Sequence, residues 1–284
     1  MYFKKSGIFF LLIGVFFSCE EIGPEIRLTD PEVSVELVDT SYLLTTIPAA
    51  QEKRVLIEDF TGVKCINCPK GHDMVDDLRA AYPGKVIPVA MHSNFLANPY
   101  AGDQDLRSPE AQSLDQRLGP TIAKPTGAVN RVEVNGEQLF FINEWAQICS
   151  DEIAKNNIIN VHLENTATET EQVLVKVRLE FLEEIQEALS ISVFLLENDI
   201  EVTQLTPDGE DEAYIHNHVL RRTLTPFAGS SLELTVFEAG RVIEKEFELI
   251  TFEESWNPQN FEVVAFVHQS DGNLTVYQSA VLKL

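Results

Sequence analysis

RVLIEDFTGVKCINCP, residues 54–69, is the stretch on which the fold turns. Arg54 to Phe60 is a short apolar run of strand character, Thr61-Gly62 interrupts it, and Cys65-Ile-Asn-Cys68-Pro69 follows. After Pro69 the pattern becomes helical: Met74, Val75, Leu78, Ala81 and Tyr82 recur at three- and four-residue steps until Pro83-Gly84. Val86 to Met91 then reads as a second strand. A strand, a CxxC at a helix start and a second strand make the βαβ setting in which CxxC reads as a redox pair.

A cysteine at a helix N-terminus feels the positive end of the helix dipole and free backbone N–H groups. Its thiolate is stabilised, and its pKa falls from about 8.5 toward neutrality. The thiolate is the attacking species in thiol–disulfide exchange, and a second cysteine one turn on resolves the mixed disulfide. On this reading Cys65 attacks, Cys68 resolves, and Lys64 favours the thiolate beside it. Two other readings stand next to it. The pair would serve as a structural disulfide in an oxidising compartment. Alternatively, Cys65, Cys68 and His72 would offer zinc donors, without a second CxxC or HxxxH to complete four ligands. No metal and no cofactor is expected.

These residues resemble the thioredoxin-like superfamily. Asp59 stands six residues before Cys65, the place of that family's buried acid, and is followed by Phe60. Lys124-Pro125-Thr126 resembles the family's cis-proline loop and leads into a strand from Gly127 to Val132. Asn135-Gly136 is a type I′ turn signal between that strand and Gln138 to Ile142, and a helix from about Asn143 to Lys155 completes the unit. The resemblance implies that Asp59 assists proton transfer and that cis-Pro125 shapes a substrate groove, with Lys64 and Thr126 beside it. The chain departs from the family at Lys64, where tryptophan is usual, and at Ile66-Asn67, which replace Gly-Pro. The polar segment Ser93 to Pro109 is longer than a minimal member needs and reads as a substrate lid, a partner surface or plain decoration. Cys149, four residues after Trp145, reads as a small buried hydrophobe or, alternatively, as a regulatory or intermolecular thiol.

The N-terminus carries a second kind of signal. Residues 1–19, MYFKKSGIFFLLIGVFFSC, join two lysines to an apolar run from Ile8 to Phe17, too short to stay as a membrane-crossing helix. Ser18-Cys19 resembles the end of a bacterial lipobox, which makes Cys19 the expected lipid attachment site. Residues 20–50, with Pro24, Pro31 and Pro48, read as a tether with one short strand around Val33 to Val38. The 284 residues carry 45 Asp and Glu against 21 Lys and Arg, a net charge of −24. That acidity excludes a sequence-independent nucleic-acid binder, which needs a basic face, and it leaves membrane attachment to the lipid.

From Ile158 the apolar period becomes two. Val173 to Phe181, Leu189 to Leu196, Leu232 to Phe237, Val242 to Leu249, Phe261 to Val267 and Leu274 to Leu282 alternate, with turn residues at Ala239-Gly240-Arg241 and Asp271-Gly272-Asn273. An immunoglobulin-like sandwich over 158–284 is expected after a thioredoxin-like unit over 51–157. Within Tyr214-Ile-His-Asn-His-Val-Leu-Arg-Arg222, His216 and His218 would share a strand face, as half a metal site or as packing and hydrogen-bonding groups. This HNHVLR segment, the EDFTG…CxxCP run and the late VVAFV strand look like the Gram-negative cell-surface family named for a 28 kDa outer-membrane protein. That resemblance implies a lipid-anchored outer-membrane protein, facing the periplasm or the cell surface. Two functions follow as expectations. One is thiol–disulfide exchange through Cys65 and Cys68; the other is non-enzymatic binding of an envelope or surface protein or peptide, with the CxxC as a staple.

Overall fold

A computed structural model describes residues 38–119, 123–165, 173–249 and 255–284. The expected signal with Cys19, most of the tether and all but the last residue of the Val33–Val38 strand lie outside the described residues. The strands are β1 (Asp39–Leu43), β2 (Val55–Thr61), β3 (Val86–His92), β4 (Thr126–Val129), β5 (Phe140–Phe141), β6 (Ile159–Asn165), β7 (Val173–Phe181) and β8 (Leu189–Glu197). They continue with β9 (Ile200–Glu201), β10 (Gln204–Thr206), β11 (Gly209–Asp211), β12 (Ile215–His216) and β13 (Val219–Thr223). The last four are β14 (Ser230–Ser231), β15 (Arg241–Leu249), β16 (Phe261–Gln269) and β17 (Val276–Lys283). Three α-helices stand among them: α1 (Pro69–Ala81), α2 (Pro109–Leu118) and α3 (Ile142–Ile153). The fold is therefore β-rich with few helices.

Local chemistry explains where the helices begin. Pro69 opens α1 with a residue whose missing N–H would have found no intrahelical partner, and Cys68 is the N-cap. Ser108 caps α2 by accepting from the Ala111 N–H at 3.1 Å, and Pro109 again fills the first turn. In the sequence Ser93 to Pro109 reads as a polar insertion, and α2 follows directly from its end. Ala111, Leu114 and Leu118 keep helical spacing and pack on Leu56, Phe60 and Ile87.

Nine strands share one sheet, in the order β17-β16-β8-β13-β3-β2-β4-β5, with β14 added on β8. β2 and β3 are parallel from Val55↔Val86 to Thr61↔His92 and are buried on both faces. β13 pairs with β3 in parallel through Val219↔Ala90 and with β8 antiparallel, so one sheet joins the segments on either side of residue 157. The described residues also fall within one compact unit. A second, antiparallel sheet runs β1-β15-β7-β6, so part of the expected tether is a strand, held by Asp39↔Lys245 to Leu43↔Arg241.

Alternation along β8 sets the layers. Leu189, Ile191, Val193 and Leu195 face the four-stranded sheet, where Val175, Phe181, Phe237 and Phe247 meet them. Phe194 and Leu196 point to the opposite face, toward the layer that α2 covers. At the other end of the sheet α1 and α3 cover the first face through Val75, Leu78, Trp145 and Ile148. Gly127 lets the Trp145 indole lie on β4, since a Cβ there would come within 2.6 Å of the ring. The expected strand from Leu232 to Phe237 does not form. Leu232 N–H bonds Leu189 O at 2.9 Å and Phe237 bridges Ile185, but no ladder connects these points. Strict alternation would put Val236 inside with Leu232, but Val236 is 43% exposed and Phe237 is fully buried, so the period breaks within this run.

Candidate functional site: a sealed disulfide and a histidine cavity

Cys65 and Cys68 are joined as a disulfide, Cα to Cα 5.3 Å apart. Cys65 is 5% exposed and Cys68 is fully buried. Gln204, from the C-terminal half, ties down their loop, its Nε2 donating to Cys65 O at 3.0 Å and to Leu205 O at 2.9 Å. Leu205 N–H donates to Val63 O at 2.8 Å, and Lys64 N–H donates to Leu96 O at 2.8 Å from the other side. The loop from Gly62 to Cys68 is thus tied by backbone bonds to two segments distant in sequence. Lys64 reaches outward to lie over the Tyr100 ring at 5.0 Å.

Behind the pair stands Asp59, buried on β2. Burial pushes its pKa up from 3.8 to about 7, against the opposing pull of Lys124. The Lys124–Pro125 peptide is cis. A Cβ at Gly71 would stand 3.0 Å from Pro125 Cβ and 3.4 Å from an Asp59 carboxylate oxygen, so the first turn of α1, Pro125 and Asp59 meet there. Lys124 Nζ donates to Thr61 O at 3.0 Å and to Ser93 Oγ at 2.7 Å, while Ser93 in turn donates to Asp115 at 2.6 Å. Burial lowers the Lys124 pKa to about 8, against the attraction of Asp115 and Asp59. Thr126 is buried and donates to Ala123 O at 2.5 Å, so its hydroxyl is engaged within its own loop. Cys149 is fully buried among Val55, Ile57 and Trp145, and burial pushes its thiol up to about 12.

Beside Asp59 lies a cavity of about 90 Å³ between α1, β3 and the segment from Tyr214 to His218. His72 on α1 bonds Tyr214 Oη through Nδ1 at 2.7 Å and Thr61 Oγ1 through Nε2 at 3.0 Å, and its Nε2 is 3.9 Å from Asp59 Oδ2. The His92 and His216 ring centroids are 5.4 Å apart, and those of His72 and His216 are 6.1 Å apart. Both ring nitrogens of His92 and Asp59 Oδ1 are buried without a hydrogen-bond partner among the described residues, and the buried His216 ring has only the Val202 backbone beside its nitrogens. Each such orphan costs about 1–3 kcal/mol, so this concentration needs a reason. Desolvation holds His72 at about 4 and His216 at about 3, and depresses His92 well below its usual value.

The sequence reading set His216 beside His218, but the two go to different neighbours. His216 enters the cavity, while His218, at φ 56°, turns its Nδ1 to Glu262. His92 escaped notice because it ends a strand that reads as apolar. Its one signal was parity: it alternates with Ala90 on β3, which pairs with Asp59 on β2, and so shares the Asp59 face.

No curated protein sequence matches the chain. HBP35 of Porphyromonas gingivalis has a similar structure at TM-score 0.63 and 22% identity, over 84% of this chain and 77% of that one. A protein of Agrobacterium tumefaciens is similar at TM-score 0.52 and 11% identity, over 83% of this chain and 96% of that one. At such identities the likeness is one of fold. The sequence family described as outer membrane protein Omp28 matches residues 114–283, more than half of the chain, and the chain belongs to that family of outer membrane proteins.

Proposed function

We propose that the chain is a lipid-anchored envelope protein that binds a surface or periplasmic polypeptide without enzymatic turnover, and that the Cys65–Cys68 disulfide is a staple. In this reading residues 51–157 are a thioredoxin-like layer and residues 158–284 an immunoglobulin-like sandwich. The observation that carries it is the seal: both cysteines are at or below 5% exposure, with Gln204 bonded to the Cys65 carbonyl. A thiolate cannot attack a sulfur it cannot reach, whatever its pKa. Exposed Ile66 and Phe95, on loops joined by the Lys64–Leu96 hydrogen bond, supply apolar contact area beside the seal. Attachment rests on Cys19, and Cys19→Ser releases the protein from the membrane fraction.

The deciding experiment is a redox titration of the oxidised full chain against glutathione and dithiothreitol, reading free thiols by alkylation. The pair stays oxidised until about −300 mV or below, as structural disulfides do. Ready exchange with glutathione would overturn the staple. Thiol–disulfide exchange keeps one observation of its own: a buried acid with a pKa of about 7 packed with Pro125 behind the pair. It requires the Gln204–Asp211 hairpin to move aside.

A further inference from the structure

Four groups around the cavity converge on a chemistry that neither the staple nor exchange uses. His92 presents two ring nitrogens, both buried and unpartnered among the described residues, His216 a buried ring with only the Val202 backbone beside its nitrogens, and Asp59 an unpartnered oxygen. Two imidazoles on one tetrahedral zinc hold their ring centroids about 5 Å apart, and two donor atoms on it stand about 3.4 Å apart. Here the centroids are 5.4 and 6.1 Å apart, and His72 Nε2 is 3.9 Å from Asp59 Oδ2. We propose that His72, His92, His216 and Asp59 bind one divalent transition-metal ion of the zinc class.

The charge around the cavity is mixed, with Lys124 and Arg221 acting on the His92 ring and acids at the mouth. Lys124 is bonded to Thr61 O and Ser93 and Arg221 to Glu197 at 2.7 Å, so the positive charge of each is partly offset where it stands. Asp73 and Asp76 stand exposed at the mouth. Tyr214, on His72 Nδ1, is placed as the outer partner that fixes a metal-binding imidazole, leaving Nε2 for the ion. Among the described residues no three donors already close on one point, so binding turns the His92 and His216 rings and exchanges Thr61 for the ion at His72. The donors are imidazole and carboxylate, which suit zinc, cobalt and nickel rather than magnesium or calcium.

This inference goes beyond the binding-protein reading, and it holds whether or not the disulfide exchanges. Its test uses untagged, oxidised full chain, so that no thiolate competes. Equilibrium dialysis with Zn²⁺ gives one ion per chain, and Co²⁺ gives the visible absorption of a four-coordinate site. His92→Gln and His216→Gln, shown to be folded by circular dichroism, each lose the cobalt spectrum. They weaken zinc binding by at least about a hundredfold, the upper end of what loss of an outer partner costs. His218→Gln, which faces Glu262, binds as the parent does. Absence of stoichiometric binding by the folded parent would overturn the proposal and leave water as the partner of the ring nitrogens. Binding that survives both His92→Gln and His216→Gln overturns it equally.

Discussion

Under the four-stranded sheet the large sheet presents Ile191, Val193, Leu195, Val263 and Ala265; under α1 the same face presents Asp59, Thr61 and His92. The first region is an apolar sandwich core in which Phe181 stacks on Phe237 at 4.5 Å. The second buries ionisable groups and leaves several unpartnered. The two regions share backbone hydrogen bonding and differ in what their side chains were selected to do. Stability from the first is a matter of volume and does not respond to pH. Stability in the second is set by protons, by a disulfide and, on the inference above, by a metal ion.

The largest effect belongs to the apolar region. Phe237→Ala opens a cavity against Phe181 and costs about 3–5 kcal/mol in denaturant unfolding, by the same amount at pH 5 and pH 8. In the polar region the sign and size depend on pH. Asp59 binds its proton more tightly when folded, so its stabilising contribution is full below pH 3.8 and is lost as pH rises toward 7. Asp59→Asn escapes that loss and is more stable than the parent at pH 8, on the order of 2–4 kcal/mol, with the gain vanishing at pH 4. A destabilised Asp59→Asn at pH 8 would mean that the carboxylate is held by a partner.

His216 runs the other way. Its folded pKa of about 3 lies below the unfolded 6.5, so its contribution is full above pH 6.5 and is lost as pH falls toward 3. With chelator present, the parent loses about 2 kcal/mol on this account by pH 5, and His216→Gln loses correspondingly less in the same titration. Replacing both cysteines, Cys65→Ser with Cys68→Ser, releases a loop of sequence separation 3 and costs about 2 kcal/mol of chain entropy, read by thermal unfolding. The smallest effect is at the surface. Lys85 pairs with Glu52 at 3.0 Å, but the Glu52 side chain is 74% exposed, so Lys85→Met changes stability by less than about 0.5 kcal/mol.

The same contrast governs what could be read in advance. The start of α1 was legible because Pro69 and the steps from Met74 to Tyr82 are local signals. The strands from Val173 onward were legible as faces, because alternation is local too. Partners were not: nothing within Val219–Thr223 announces that its neighbour is Ala90, and the run from Leu232 to Phe237 gains one isolated bridge, Phe237 to Ile185, in place of a ladder. The cavity was the least legible part. His72, His92 and His216 come from a helix, a strand end and a two-residue strand, and only the fold brings their rings together. Glu58 and Arg131 make the same point, since their bidentate pair, at 2.6 and 2.7 Å and fully buried, joins β2 to a turn whose Asn130 and Arg131 both take positive φ.

The parallel pairing of β3 with β13 also sets an order of events. β13 is synthesised more than a hundred residues after β3, so at about 5–20 residues per second β3 waits on the order of ten seconds for its outer neighbour. During that interval β3 is an edge, and edges recruit strands from other chains. Pro88, at the middle of β3, has no N–H to offer such a strand. In the finished sheet β13 bonds β3 at Ala90, whose N–H donates to His218 O at 2.7 Å, and so the proline that guards the unfinished edge does not obstruct its completion.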